Sequence, residues 1–424
     1  MSIGSSRVSP PAKAETEADA APVAEASRIR TLDVMRGLAV LGILAVNAPF
    51  FAAPWQTALN PTLPPLAIDA HTAWSWFVPH VFFEGKFITL FSMLFGASLY
   101  LVGGDRSDPV RERIVIRRVA WLALFGAIHG AFIWYGDVLL LYAASGAILM
   151  LLRGWTARAL LTLGVGIYLT TSFWEAYRGL QLEHAPPASA QAVRAFLWEP
   201  APREIAYWAE MFGGGFLQSL LANMQMWAGF AFATLKSGIP HTIGVMMIGM
   251  GLFKIGFLSG GAPRWVYWLS VGIAALALIG VSEQALQSSA AGFDFIVVNA
   301  RTGLLNHAVV ILISLGYASA LVLCVQANIL PFVTNALAPV GRMAFTNYVA
   351  QSLIMTAIFY GGRGPGLWGA LDRPTLMLVV PVVWAAQLIW STLWLRSFEM
   401  GPLEWVWRRL SYARPVAFAK TAVA

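Results

Sequence analysis

Charge is what this sequence has least of. Asp, Glu, Lys and Arg make up 12% of its 424 residues, about half the usual share for a soluble domain. A water-soluble chain with so few charges cannot cover its own surface, whereas lipid-facing helices need no such cover. Cysteine is nearly absent. The single Cys324 excludes an internal disulfide and any cysteine-built zinc cage, and its apolar surroundings make it a packing residue. There is no HExxH, no Walker A motif and no G-x-S-x-G elbow. His71 and His80 stand nine apart, and His184, His241 and His307 are scattered, so no metal site is expected. GGRGPG at 361–366 is a turn, since its proline and glycines do not make a phosphate loop. Nucleic-acid motifs are also missing, so the net charge of +7 is not read as a nucleic-acid footprint.

Apolar residues are plentiful, at 58% of the chain, with 18 Trp and 25 Phe suited to interfacial belts and 38 Gly suited to close helix packing. Mean hydropathy is +0.66. Residues 1–27 are Ala-, Pro-, Glu- and Ser-rich and read as a disordered cytoplasmic arm rather than a signal peptide. Residues 28–396 read as one all-α, polytopic transmembrane helix bundle, and 397–424 as a basic cytoplasmic tail. About ten runs are long enough to span: 34–53, 84–103, 117–134, 137–152, 159–174, 240–258, 265–282, 303–325, 343–360 and 375–395.

An eleventh apolar run, 212–235, carries Gln218, Asn223 and Gln225. Counting it as a span would put the basic tail WRRLSYAR outside, against the positive-inside rule. With ten spans, the cytoplasmic segments hold 20 of the 28 basic residues. We therefore expect even parity, both termini cytoplasmic, and 175–239 as an outer segment whose apolar part lies in the interface or re-enters as a hairpin. A twelve-span arrangement keeps the same parity. The expected location is the bacterial cytoplasmic (inner) membrane, with the lipid bilayer as the partner. No segment is long enough for a separate soluble catalytic domain, and no inverted repeat of broken helices marks a secondary transporter.

Six fragments in order carry a family resemblance: RIRTLDVMRGLAVLGILAVNAPFF; FFEGKFITLFSMLFGASLYL; RRVAWLALFGAIHGAFIWYGDVLLLYAASG; APVGRMAFTNYVAQSLI; GGRGPGLWG; and WLRSFEMGPLEWVWRRLSYAR. Together they resemble the bacterial YeiB family, whose C-terminal half is a domain of unknown function. The LDxxRG first helix in turn resembles the transmembrane acyltransferase superfamily, which includes heparan-alpha-glucosaminide N-acetyltransferase. That resemblance implies an acyl group moved from a cytoplasmic donor, acyl-CoA, to a glycan or lipid acceptor on the far side. It implies no tightly bound cofactor.

Ionisable residues inside spans cost several kcal/mol unless paired or facing a cavity. His129 is the one histidine deep in a strongly apolar helix, with small neighbours Gly126, Ala127 and Gly130. The resemblance makes it the general base; the alternative is a neutral packing histidine. Asp137 lies two turns on and about 80° round an ideal helix, placed either to orient a catalytic group or to cap the next helix. Asp33 and Arg36 share a face. Arg36, with Arg117 and Arg118, is expected to meet a phosphate-bearing donor, or else to set topology and touch anionic lipid.

Asn47 either bonds inside the Pro49 kink or lines a pocket. Glu84 and Lys86 flank Gly85 at the outer start of a span, and Lys86 either binds an anion or snorkels. Arg342 precedes Asn347 and Gln351, which share a helix face turned to the bundle interior for interhelical bonds or substrate contact. Two other functions fit the same residues: a transporter or flippase of a small molecule or lipid-linked substrate, and a non-catalytic membrane scaffold.

Overall fold

The computed structural model describes residues 29–420, apart from the side chains of 301–304. The arm 1–27 lies outside the described residues. Those described are helical, and their one β element is an isolated bridge between Phe398 and Ala419.

The main helices are α1 (Arg30–Ala52), α2 (Lys86–Gly103), α3 (Pro109–Ile128), α4 (Leu139–Leu149), α5 (Ala157–His184), α6 (Phe216–Lys254), α7 (Arg264–Ala290), α8 (Gly303–Gln326), α9 (Pro331–Arg342), α10 (Ala344–Phe359), α11 (Arg373–Ser397) and α12 (Pro402–Tyr412). Among the described residues, six helical stretches are long and apolar enough to cross a bilayer: Arg30–Ala52, Trp74–Gly103, Pro109–Ile133, Arg264–Ala290, Leu305–Gln326 and Arg373–Ser397. They coincide with six of the expected runs. Leu139–Leu152 and Ala344–Phe359 are apolar but shorter. Large apolar side chains face outward at Phe173, Phe232, Leu276 and Val382, as a lipid-facing surface requires.

The apolar run 212–235 is neither a separate span nor a hairpin. Most of it continues without a break into the run at 240–258, forming the 39-residue α6 with Pro240 inside. At 1.5 Å per residue such a helix is about 58 Å long, well beyond a hydrocarbon core of about 30 Å. The three amides of that run each make a hydrogen bond. Gln218 accepts from the Gly215 N–H at 2.8 Å, Gln225 accepts from the Tyr207 hydroxyl at 3.0 Å, and Asn223 turns inward. Two short helices, Pro187–Leu197 and Pro202–Gly213, fold over the same end.

Small residues set the closest crossings. A methyl group on Gly96 would lie 2.0 Å from the Met246 carbonyl oxygen, and one on Gly249 would lie 2.1 Å from that of Met93. These two glycines let α2 and α6 touch backbone to backbone, the packing mode that substitutes for a hydrophobic drive in lipid. The tail past 397 packs back as α12. Trp407 Nε1 donates to the Arg118 carbonyl at 2.9 Å, and the Arg118 guanidinium sits 3.9 Å over the Trp407 ring.

Candidate functional site

The site begins where α3 ends. From His129 to Ile133 the helix widens into a π turn, closed by the Trp134 N–H to the His129 carbonyl at 2.9 Å. The next residues leave helical geometry until α4 begins. Wide turns of this kind gather at functional positions because they free carbonyls and re-aim side chains. Here the freed carbonyls are all met. Asn223 Nδ2 donates to the oxygens of Gly130 and Ala131 at 2.8 and 2.9 Å. Arg363 donates to Phe132 and Ile133 at 3.2 and 3.0 Å.

This distortion brings Asp137 back onto His129, closing the 80° gap of an ideal helix. His129 Nδ1 lies 2.9 Å from Asp137 Oδ1. The carboxylate also caps α4, accepting from the Leu139 and Leu140 N–H groups at 3.1 and 2.8 Å. One carboxylate thus both caps α4 and contacts the His129 ring. On the other side of the ring, His129 Nε2 lies 2.9 Å from Ser352 Oγ on α10. With a neutral imidazole, Nδ1–H donates to Asp137 and the Ser352 hydroxyl donates to Nε2. His129 is 2% exposed and Ser352 1%. Sequence reasoning missed Ser352. It stands 223 residues away, and a lone serine in an apolar helix carries no signal.

Two cavities flank this relay. The first, about 210 Å³, has Asp33, Arg36, Arg118, Arg342, Glu404 and Arg408 on its wall. Its deeper wall is apolar, with Leu94, Phe95 and Leu122. Arg36 pairs with Asp33 at 2.9 Å. Arg342 lies on the same wall and donates to the Glu399 carbonyl at 2.9 Å. Glu404 caps α10, accepting from the N–H groups of Phe345 and Thr346 at 2.7 and 3.1 Å and from the Thr346 hydroxyl at 2.5 Å. Burial raises its carboxyl above the usual range, against the pull of those donors. Arg117, next to Arg118, does not line the cavity; consecutive helical residues point about 100° apart.

The second cavity, about 320 Å³, is lined by Asn47, Phe50, Trp134, Asp137 and Phe230 among others. Ile43, Val138 and Tyr348 belong to both walls. One stripe of α1 serves both: Arg36, Val40 and Ile43 in the first, then Ile43, Asn47 and Phe50 in the second. Arg36 and Asn47 lie about 16 Å apart along the helix axis.

The remaining candidates lie elsewhere. Lys86 is fully buried, with Nζ donating to Asn306 Oδ1 at 2.9 Å and to the His80 carbonyl at 3.0 Å. Glu84 pairs with His80 at 2.5 Å. Neither lines either of these two cavities. Asn347 and Gln351 make interhelical hydrogen bonds. Asn347 Nδ2 donates to the Val340 carbonyl and Ser391 Oγ, and Gln351 Nε2 donates to the Val40 carbonyl and Gln387 Oε1.

Residues 252–414 match the family model described as Protein of unknown function (DUF418). The chain is 32% identical over 409 residues to Uncharacterized protein YeiB of Escherichia coli (strain K12), covering 92% of this chain and 98% of that one. It is 29% identical over 422 residues to Uncharacterized protein YxaH of Bacillus subtilis (strain 168), covering 93% and 98%. An Uncharacterized 39.9 kDa protein in the amylase 3' region of Bacillus acidopullulyticus is 27% identical over 416 residues, covering 95% and 99%. No solved structure matches. Apolar helices of spanning length and full-length bacterial relatives mark a bacterial membrane protein, and the chain belongs to the YeiB family.

Proposed function

We propose that this chain is a membrane acyltransferase. It takes an acyl group from a cytoplasmic acyl-CoA and delivers it to an envelope glycan or lipid on the other side, with His129 as general base. The carrying observation is the buried Asp137–His129–Ser352 relay beside a wall that two cavities share. The first cavity suits the donor: guanidiniums at its mouth match phosphates, and its apolar depth accepts an acyl arm. The second, with Asn47 and Asp137, takes the acceptor. Asp137 holds the imidazole so that Nε2 faces the hydroxyl whose proton it removes. The topology that goes with this reading has ten spans in the bacterial inner membrane and both termini cytoplasmic, which puts the arginine-lined cavity inside.

Purified protein in lipid nanodiscs, given radiolabelled acetyl-CoA and envelope glycan and lipid extracts, is expected to transfer label. His129→Ala should slow transfer about a hundredfold or more. A wild type that transfers nothing, or a His129→Ala variant that matches it, would sink the reading. The meeting of two oppositely placed cavities at three side chains also favours a transporter or flippase. Substrate uptake into proteoliposomes that survives His129→Ala would select that reading instead.

A further inference from the structure

Serine hydroxyls in helices normally turn back on their own backbone. Ser92, Ser282, Ser314 and Thr392 each bond the carbonyl four residues earlier at 2.8 Å. Ser352 does not. Its own back-bond, to the Tyr348 carbonyl, is stretched to 3.5 Å, while its Oγ sits 2.9 Å from His129 Nε2. The hydroxyl is committed to the imidazole, and the imidazole to a carboxylate that is itself held by two N–H groups. Nucleophile, base and orienting acid in hydrogen-bonded series are the arrangement that activates a serine.

We propose that Ser352 is a nucleophile that carries the acyl group as a covalent ester between the two cavities; this rests on the acyl-transfer reading above. In the first half, the Ser352 Oγ–acyl carbon bond forms and the thioester C–S bond breaks. The Oγ proton passes to His129 Nε2 and then to the leaving sulfur as a thiol. In the second half, an acceptor hydroxyl attacks the ester. Its proton passes through His129 to Oγ as the O–acyl bond breaks, and Ser352 is restored. One group thus crosses the bundle without donor and acceptor meeting.

Two further observations fit. The Trp134 indole N–H is buried on the wall of the second cavity and has no partner among the described residues. Buried donors are normally paired, and a carbonyl oxygen turning anionic would give it a partner. Tyr348 lies one turn before Ser352, and its ring is centred 5.1 Å from that of His129. It lines both cavities, while His129 and Ser352 line neither. Its hydroxyl is fastened by the Val138 N–H at 3.3 Å, a long bond. The covalent step requires this side chain to turn aside and open Oγ to each cavity in turn.

The test uses the full chain in nanodiscs with radiolabelled acetyl-CoA and no acceptor, quenched in acid and digested for mass spectrometry. Acetylation of the peptide holding Ser352 is expected, and it should be lost in His129→Ala. Ser352→Ala should slow transfer to acceptor roughly a thousandfold or more. Ser352→Cys, in a Cys324→Ala background, should trap the group as a thioester that neutral hydroxylamine releases. It also guards against a Ser352→Ala variant that fails to fold. An active wild type with no acetylated Ser352 peptide, or an active Ser352→Ala, would overturn the covalent step while leaving acyl transfer standing. A wild type that transfers nothing overturns both.

Discussion

At the scale of single residues, Asp137 shows how one side chain serves two ends. It caps α4 and holds His129, and the two duties separate under substitution. Asparagine keeps a carbonyl oxygen for the cap, so Asp137→Asn should cost only about 1 kcal/mol of stability. It cannot hold the imidazole in the same tautomer as an acceptor-only carboxylate does. Acyl transfer should therefore fall roughly ten-thousandfold, read from transfer rates beside thermal unfolding of the same preparations. Transfer within tenfold of wild type would leave Asp137 a helix cap alone. Both members of this pair were legible in the sequence, since an ionisable group in an apolar run demands an account. Their contact was not, because it depends on the π turn between them. Arg36 and Asn47 lie eleven apart on one face of α1 and mark the stripe that lines both cavities. Arg117 and Arg118 look alike in sequence, and only helix phase separates the one that reaches the cavity from the one that does not.

At the scale of elements, the end of α3 depends on a neighbour. Breaking a helix in apolar surroundings strands carbonyls, and each unmet one costs about 1–3 kcal/mol. Asn223 of α6 meets two of them from a fully buried position. Asn223→Ala should lower stability by that amount per carbonyl and let the turn carrying His129 relax. Gln225→Ala, two residues on and exposed, should stay within about 0.5 kcal/mol of wild type. Unfolding of the two variants in detergent distinguishes the cases; equal midpoints would remove Asn223 from the support of the turn. This also explains why 212–235 was hard to read. Its three amides lower its hydropathy without ending the helix, because each has a local or interhelical partner. The tail differs from its sequence in the opposite way. WVWRRLSYAR reads as a basic extension, yet α12 supplies Glu404, Trp407 and Arg408 to a cavity wall, a placement that follows from tertiary packing alone.

At the scale of the whole molecule, the two ends are chemically unlike. One gathers Arg36, Arg118, Arg153, Lys254, Arg342 and Arg408; there Arg153 pairs with Glu112, and Lys254 with Asp105 at 3.1 Å. The other holds the 53–73 loop, tied down where Asn60 Nδ2 donates to the Trp198 carbonyl at 2.9 Å, and the two short helices folded over it. By the positive-inside rule the first end is expected to face the cytoplasm. The acyl transfer proposed above, from a cytoplasmic donor, needs the same assignment, because the guanidiniums on the cavity wall lie at that end. The charge bias and the proposed donor site draw on the same arginines and require the same orientation, which can be measured without knowing any substrate. The lone Cys324 makes this simple. In a Cys324→Ala background, Gly154→Cys places a thiol on an exposed turn at the arginine-rich end, and Ala70→Cys places one on the exposed loop at the other. A membrane-impermeant maleimide added to intact spheroplasts should label Ala70→Cys and spare Gly154→Cys until the membrane is opened. The reverse pattern would put the guanidinium cavity outside, where no acyl-CoA is available. The donor would then have to be an envelope molecule, and the direction of transfer proposed for the relay would fail.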